Sequence, residues 1–173
     1  MKRKDKILVL RIAGLSDGVH EYTVTVAPKA IGLSESFRQP FDVNIVLEKT
    51  RRQFVLHVTS LASGWFPCDR CLDETEVRVE VDFWLVFMTT GDQHAISSDD
   101  EDNKEVVLLP PNTHEIDIAE DVRQFIELAV PLRKICGEDN EGHPLCKSKV
   151  WEKWVGEPET ADTRWDALKK LKL

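Results

Sequence analysis

The residues of this chain best equipped for chemistry are its four cysteines. They form two local pairs, Cys68-Asp69-Arg70-Cys71 and Cys136 with Cys146, and none is left over. Two thiols separated by two residues can grip one metal ion or close one redox disulfide. Four thiols in two pairs are the donor set of a single tetrahedral zinc site. Cys68, Cys71, Cys136 and Cys146 are therefore candidate ligands of a structural zinc ion. Nine residues separate Cys136 from Cys146, a loose spacing for a second knuckle. The pairs are also distant in sequence, so only the fold can unite them. His143 is a substitute ligand for one cysteine or, on the blander and favoured reading, a solvated loop histidine.

The Cys68–Cys71 pair has three readings. A redox dithiol would sit where a strand turns into a helix, whose N-terminus lowers the thiol pKa. Here a strand pattern follows instead. A zinc knuckle is a tight loop between two strands, which matches the local pattern and is the favoured reading. The third reading is two unligated thiols in a turn. His20, His57, His94 and His114 are scattered, and no spacing marks a Ser/His/Asp or Cys/His arrangement. Asp69, Asp73 and Glu74 read as a solvated acidic rim. No Gly-rich phosphate loop is present. The chemistry points to a metal-stapled binding or assembly domain rather than an enzyme.

The first half of the chain must supply a sheet. Ile7–Ile12 is a short apolar run. Tyr22, Val24 and Val26 alternate with threonines, and Phe41, Val43, Ile45 and Leu47 continue the pattern. Phe54, Leu56 and Val58 follow, with Glu48–Arg52 as a hairpin link. Val77, Val79, Val81, Phe83, Leu85 and Phe87 form the cleanest alternation. This period of two is that of strands with one face buried. Cys68 and Cys71 fall in a loop that begins at Gly64, and Glu105–Leu109 is one more strand, ended by Pro110-Pro111.

The period then changes. Ile118, Val122, Phe125, Ile126 and Ala129 recur at helical spacing, predicting a helix over 117–130. Asp117 is its expected N-cap, with Glu120 completing a capping box, and Pro131 ends it. Residues 156–163 read as a linker to a last short helix, Trp165–Leu171. The expected organisation is one α+β domain over 1–155, with an acidic loop at about 89–104, then the linker and tail helix over 156–173. The expected fold is a curved or barrel-like antiparallel sheet with one main helix packed on it and a C-terminal tail helix.

The formal net charge is −8 over 173 residues. Residues 68–105 hold twelve acidic and three basic groups, much of the excess lying in Ser97–Asp102. Away from that segment the chain is nearly neutral, which argues weakly against nonspecific nucleic-acid binding but permits a local basic face. Basic clusters occur at Lys2–Lys6, Arg51-Arg52, Arg133-Lys134 and Lys169–Lys172. Each is a candidate phosphate contact and also ordinary as a tail, hairpin tip or helix end. Trp65 and Phe66 are able to stack on bases, but packing beneath a knuckle is the commoner role. Trp151 and Trp154 are spaced like one helix face, where core or tail packing is the simpler reading. No apolar stretch is long enough for a transmembrane helix, and Ile7–Leu10 is too short for a signal-peptide core. A cytoplasmic protein is expected, where thiols stay reduced.

Three segments together resemble the YceD-like family of large ribosomal RNA subunit accumulation proteins. They are Cys68-Asp69-Arg70-Cys71-Leu72 with the strand Val77–Phe87, Glu115–Asp121 running on to Leu128-Ala129-Val130-Pro131-Leu132, and Thr163–Leu171. Many bacterial members carry a denser cysteine cluster after the proline, where this chain has only Cys136 and Cys146. The resemblance implies a role in synthesis, processing or accumulation of large-subunit rRNA, with rRNA or a ribosomal protein as partner. It implies no known catalytic mechanism. Two alternatives stand beside it: a dithiol redox protein using Cys68 and Cys71, and an acidic protein-interaction module that works through residues 97–102 without touching RNA.

Overall fold

The computed structural model describes residues 7–89, 106–140 and 145–146. The Lys2–Lys6 and Lys169–Lys172 clusters, His143, Trp151, Trp154, the tail helix and nearly all of the acidic loop lie outside them. The chain divides into two compact units. One comprises the described residues up to Trp65 together with Glu76–Leu132. The other comprises Phe66–Thr75 and the described residues from Arg133 onward.

In the first unit, period-two alternation becomes sheet. The strands are β1 (Val9–Arg11), β2 (Gly18–Val26), β3 (Phe41–Lys49), β4 (Gln53–Pro67), β5 (Glu74–Thr89), β6 (Val106–Leu109) and β7 (Glu115–Asp117), followed by the helix α1 (Ala119–Ala129). Five strands form one sheet in the order β2-β3-β4-β5-β6, and β1 pairs with β7 in a separate two-stranded sheet. The alternating residues set the register: Tyr22 lies opposite Ile45, and Ile45 opposite Val58. One face of β3 and β4 is dry, with Val43, Leu47, Leu56 and Val58 fully buried. Burying each such side chain contributes roughly 1.5–3 kcal/mol.

Helix α1 covers part of that core. Val122 and Ile126, four residues apart on one face, are fully buried, as is Ile118 just before the helix. The Phe125 ring stacks on Phe83 of β5, with centroids 3.8 Å apart and planes 8° from parallel. Val130 is extended, as the residue before a proline prefers, and the helix stops there.

The structure corrects four expectations. The sheets are open rather than barrel-like, because β1 leaves to pair with β7 and the five-stranded sheet ends at β2 and β6. That sheet is mixed rather than antiparallel throughout, since β6 runs parallel to β5. The segment from Gly64 to Pro67 belongs to β4, so the cysteine loop begins only at Cys68. Finally, Ile118 rather than Asp117 stands at the N-cap of α1, and it makes no side-chain cap bond. Asp117 Oδ1 accepts from the Ala119 amide at 3.0 Å, and Glu120 binds Arg123.

The opposite face of the five-stranded sheet is exposed. It carries Glu21, Asp42, Glu48, Glu80 and Asp82 among threonines and a few apolar side chains. No helix among the described residues is long and apolar enough to cross a membrane.

Candidate metal centre

The second unit is built around the loop 68–73 that joins β4 to β5. Its turn is held by backbone bonds: the Cys68 amide donates to Asp73 O at 2.8 Å, and the Leu72 amide to Cys68 O at 2.9 Å. Leu72 takes the left-handed conformation, with φ at 65°, which a non-glycine residue adopts at a cost of about 1 kcal/mol. That turn brings both thiols of the first pair to one side. Cys68 and Cys71 are both buried.

The second pair is brought to the first by Asp69. Its amide donates to Lys134 O at 2.7 Å, and its carboxylate accepts from the Lys134 amide at 2.6 Å. This two-bond clamp fixes the chain two residues before Cys136. Gly137, at φ 94°, then turns the backbone, and its carbonyl accepts from the Leu145 amide at 3.1 Å, which positions Cys146. The left-handed backbone at Gly137 is one that a side chain would strain.

The result is a cluster of four sulfurs. Cys71 Sγ lies 3.6 Å from Cys136 Sγ, and Cys68 Sγ lies 3.9 Å from Cys146 Sγ. All four sulfurs lie within 4.8 Å of one another. Zinc–sulfur bonds of about 2.3 Å at tetrahedral angles set sulfurs about 3.8 Å apart, so these residues fit one ion. The four cysteines named from the sequence are thus one group, able to bind a metal. His143, the substitute ligand, lies outside the described residues.

The electrostatics divide the four thiols. Burial disfavours the Cys68 thiolate, but amide donation from Cys71, Arg70 and Cys136 prevails and lowers the thiol from 9.0 to about 6. The Arg70 amide to Cys68 Sγ contact is 3.5 Å. Cys71, Cys136 and Cys146 shift upward, chiefly because burial disfavours their charged forms. The Arg70 guanidinium binds Glu138 and is held more firmly protonated by that bond, with the sulfurs of Cys146 and Cys68 adding to the effect. Its Nη1 is buried and has no hydrogen-bond partner among the described residues. A dication held by four thiolates leaves a net negative site, and a neighbouring guanidinium is the charge that offsets it.

Asp69 and Arg70 contribute to the site without any mark in the sequence. Asp69 does lie on an exposed rim, but it ties one cysteine segment to the other. No spacing announces a side chain whose partner is a backbone amide sixty-five residues away. Of the basic clusters, Arg51-Arg52 caps the β3–β4 hairpin with both side chains exposed, and Arg133-Lys134 runs into the second unit. Trp65 does not offer a fully open ring: Arg38 Cζ lies 5.7 Å from its centroid.

The family described as "Large ribosomal RNA subunit accumulation protein YceD" matches residues 56–172. No curated protein and no solved structure matches the chain. The matched span takes in the cysteine hairpin, helix α1 and both later cysteines, and covers well over half of the sequence. The chain belongs to the YceD family of large ribosomal RNA subunit accumulation proteins.

Proposed function

We propose that this chain is a non-enzymatic factor in large-ribosomal-subunit biogenesis, with zinc on Cys68, Cys71, Cys136 and Cys146 as a structural staple. It acts in the cytoplasm by holding rRNA or a ribosomal protein. Family membership supports the pathway. The observation that carries the zinc is the set of four sulfurs within 4.8 Å of one another. Four thiolates, the whole donor group among the described residues, make a closed tetrahedral set, the pattern of structural rather than catalytic zinc. Zinc bound there supplies cross-linking, so that binding free energy becomes folding free energy.

The lowered Cys68 thiol supports a second reading, a redox dithiol with Cys71. Reactive thiols need access as well as a low pKa, and Cys68 is fully buried. A sulfur already ionised at neutral pH serves metal binding equally well, so the staple is the better account.

The test compares large- with small-subunit rRNA in cells lacking the chain, then restores wild type or Cys71→Ser with Cys136→Ser. The reading expects a deficit of large-subunit rRNA that wild type corrects and the double variant corrects poorly. Unchanged rRNA in the deleted cells would remove the pathway. Full rescue by the double variant would remove the staple.

A further inference from the structure

The exposed face of the five-stranded sheet carries an aromatic platform on an acidic field. Trp84 of β5 is 58% exposed. The His57 ring of β4 stacks on it, with centroids 4.2 Å apart and planes 9° from parallel. Asp82 Oδ1 is 2.7 Å from His57 Nε2 and fixes that ring. The indole is therefore held in place rather than free to turn. Leu61, 56% exposed, adds apolar surface on the same side of β4.

The charge around the platform is mostly negative. Glu80 and Asp82 face outward beside Trp84 on β5, and Glu21 lies in register with Val46, which lies opposite His57. Among the described outward residues of β2–β5 in the first unit, Arg78 is the single Lys or Arg. Such a face repels phosphates, so RNA is a poor occupant despite the exposed tryptophan. It attracts cations. A guanidinium or ammonium over an indole face gains cation–π attraction, and the stems of Lys and Arg cover apolar surface while their heads reach carboxylates. We infer that this sheet face, centred on Trp84, docks an Arg/Lys-rich segment of a partner protein rather than RNA. The inference deepens the assembly reading by naming the partner's chemistry, and rests on that reading only for the pathway the partner belongs to.

The test titrates a fluorescently labelled Arg/Lys-rich peptide, and separately a short single-stranded RNA, into the full chain and two variants, Trp84→Ala and Glu80→Lys. Both side chains are exposed, and circular dichroism with metal content verifies folding. Wild type should bind the peptide, more weakly as salt rises. Trp84→Ala should weaken it roughly three- to thirtyfold, and Glu80→Lys should weaken it as well. RNA binding, where present, should not fall in Trp84→Ala. Peptide affinity unchanged in both variants would overturn the inference. So would absence of peptide binding by wild type, or RNA binding lost on removing Trp84. The titration reads this surface whether or not rRNA accumulation depends on the chain, so the two claims fail separately.

Discussion

Cys71 Sγ and Cys136 Sγ lie 3.6 Å apart although sixty-five residues separate them in the chain. The approach joins the loop between two strands to the segment that follows helix α1. It is what turns two cysteine pairs distant in sequence into one donor set.

Cys136→Ser removes one of four sulfurs and leaves a donor set that zinc binds weakly. The variant should be purified without bound metal, and its melting temperature should fall below that of wild type. Added chelator should lower the melting temperature of wild type and leave that of the variant unmoved. Calorimetric melts with and without chelator check both statements.

Asp69 and Arg70 act on the sulfurs without ligating metal. Asp69→Ala deletes the acceptor of the Lys134 amide, a charge-assisted bond on an exposed rim that contributes about 1 kcal/mol. Arg70→Gln deletes the cation beside the sulfurs. Loss of such outer partners typically weakens metal binding by roughly 10- to 100-fold. Chelator competition should therefore rank wild type above Asp69→Ala and Arg70→Gln, and both above Cys136→Ser.

Metal loading should depend steeply on pH. Cys68, at about 6, is already ionised at neutral pH. Cys71, Cys136 and Cys146 are shifted above 9.0 and must release protons when they bind an ion. Raising pH therefore strengthens binding, and lowering it weakens binding, by up to about three decades of affinity per pH unit near neutrality. Below about pH 6 Cys68 also competes for its proton, and the slope should steepen further. Affinity measured across pH 6–8 with a competing chelator checks the sign and the slope.

Ile126→Ala tests the core independently of the metal. Ile126 is fully buried on the face of α1 that meets the sheet core. The truncation should cost roughly 2–5 kcal/mol in denaturant unfolding while metal content stays at the wild-type level.

How much of this was legible varied with the physics involved. Val43, Ile45 and Leu47 announced a strand because side chains alternate across a sheet, and Val122 and Ile126 announced a helix because burial recurs each turn. Partner and direction leave no such trace. The run Val106–Leu109 reads as a strand, but nothing in it encodes parallel pairing with β5 or the open sheet that results. The three residues Glu115–Asp117 pair with β1, yet they sit against the helical pattern and are too short for alternation to stand out. Trp84 escaped notice because it occupies the outward parity of β5, where function rather than folding decides the residue. Beyond Leu85 the alternation slips, and adjacent Val86 and Phe87 are both buried. At the candidate site, the spacing of Cys68 and Cys71 marked a knuckle, whereas their meeting with Cys136 and Cys146 depends on the Asp69–Lys134 clamp and only the fold displays it.

The proposed staple is a single zinc held by four thiolates. Its most direct test is elemental analysis with a thiol count on protein purified without added metal. About one zinc per chain is expected, with all four thiols slow to react until a chelator is added. Metal-free protein whose four thiols react at once would contradict it, as would a stoichiometric metal that leaves Cys136 and Cys146 fully reactive.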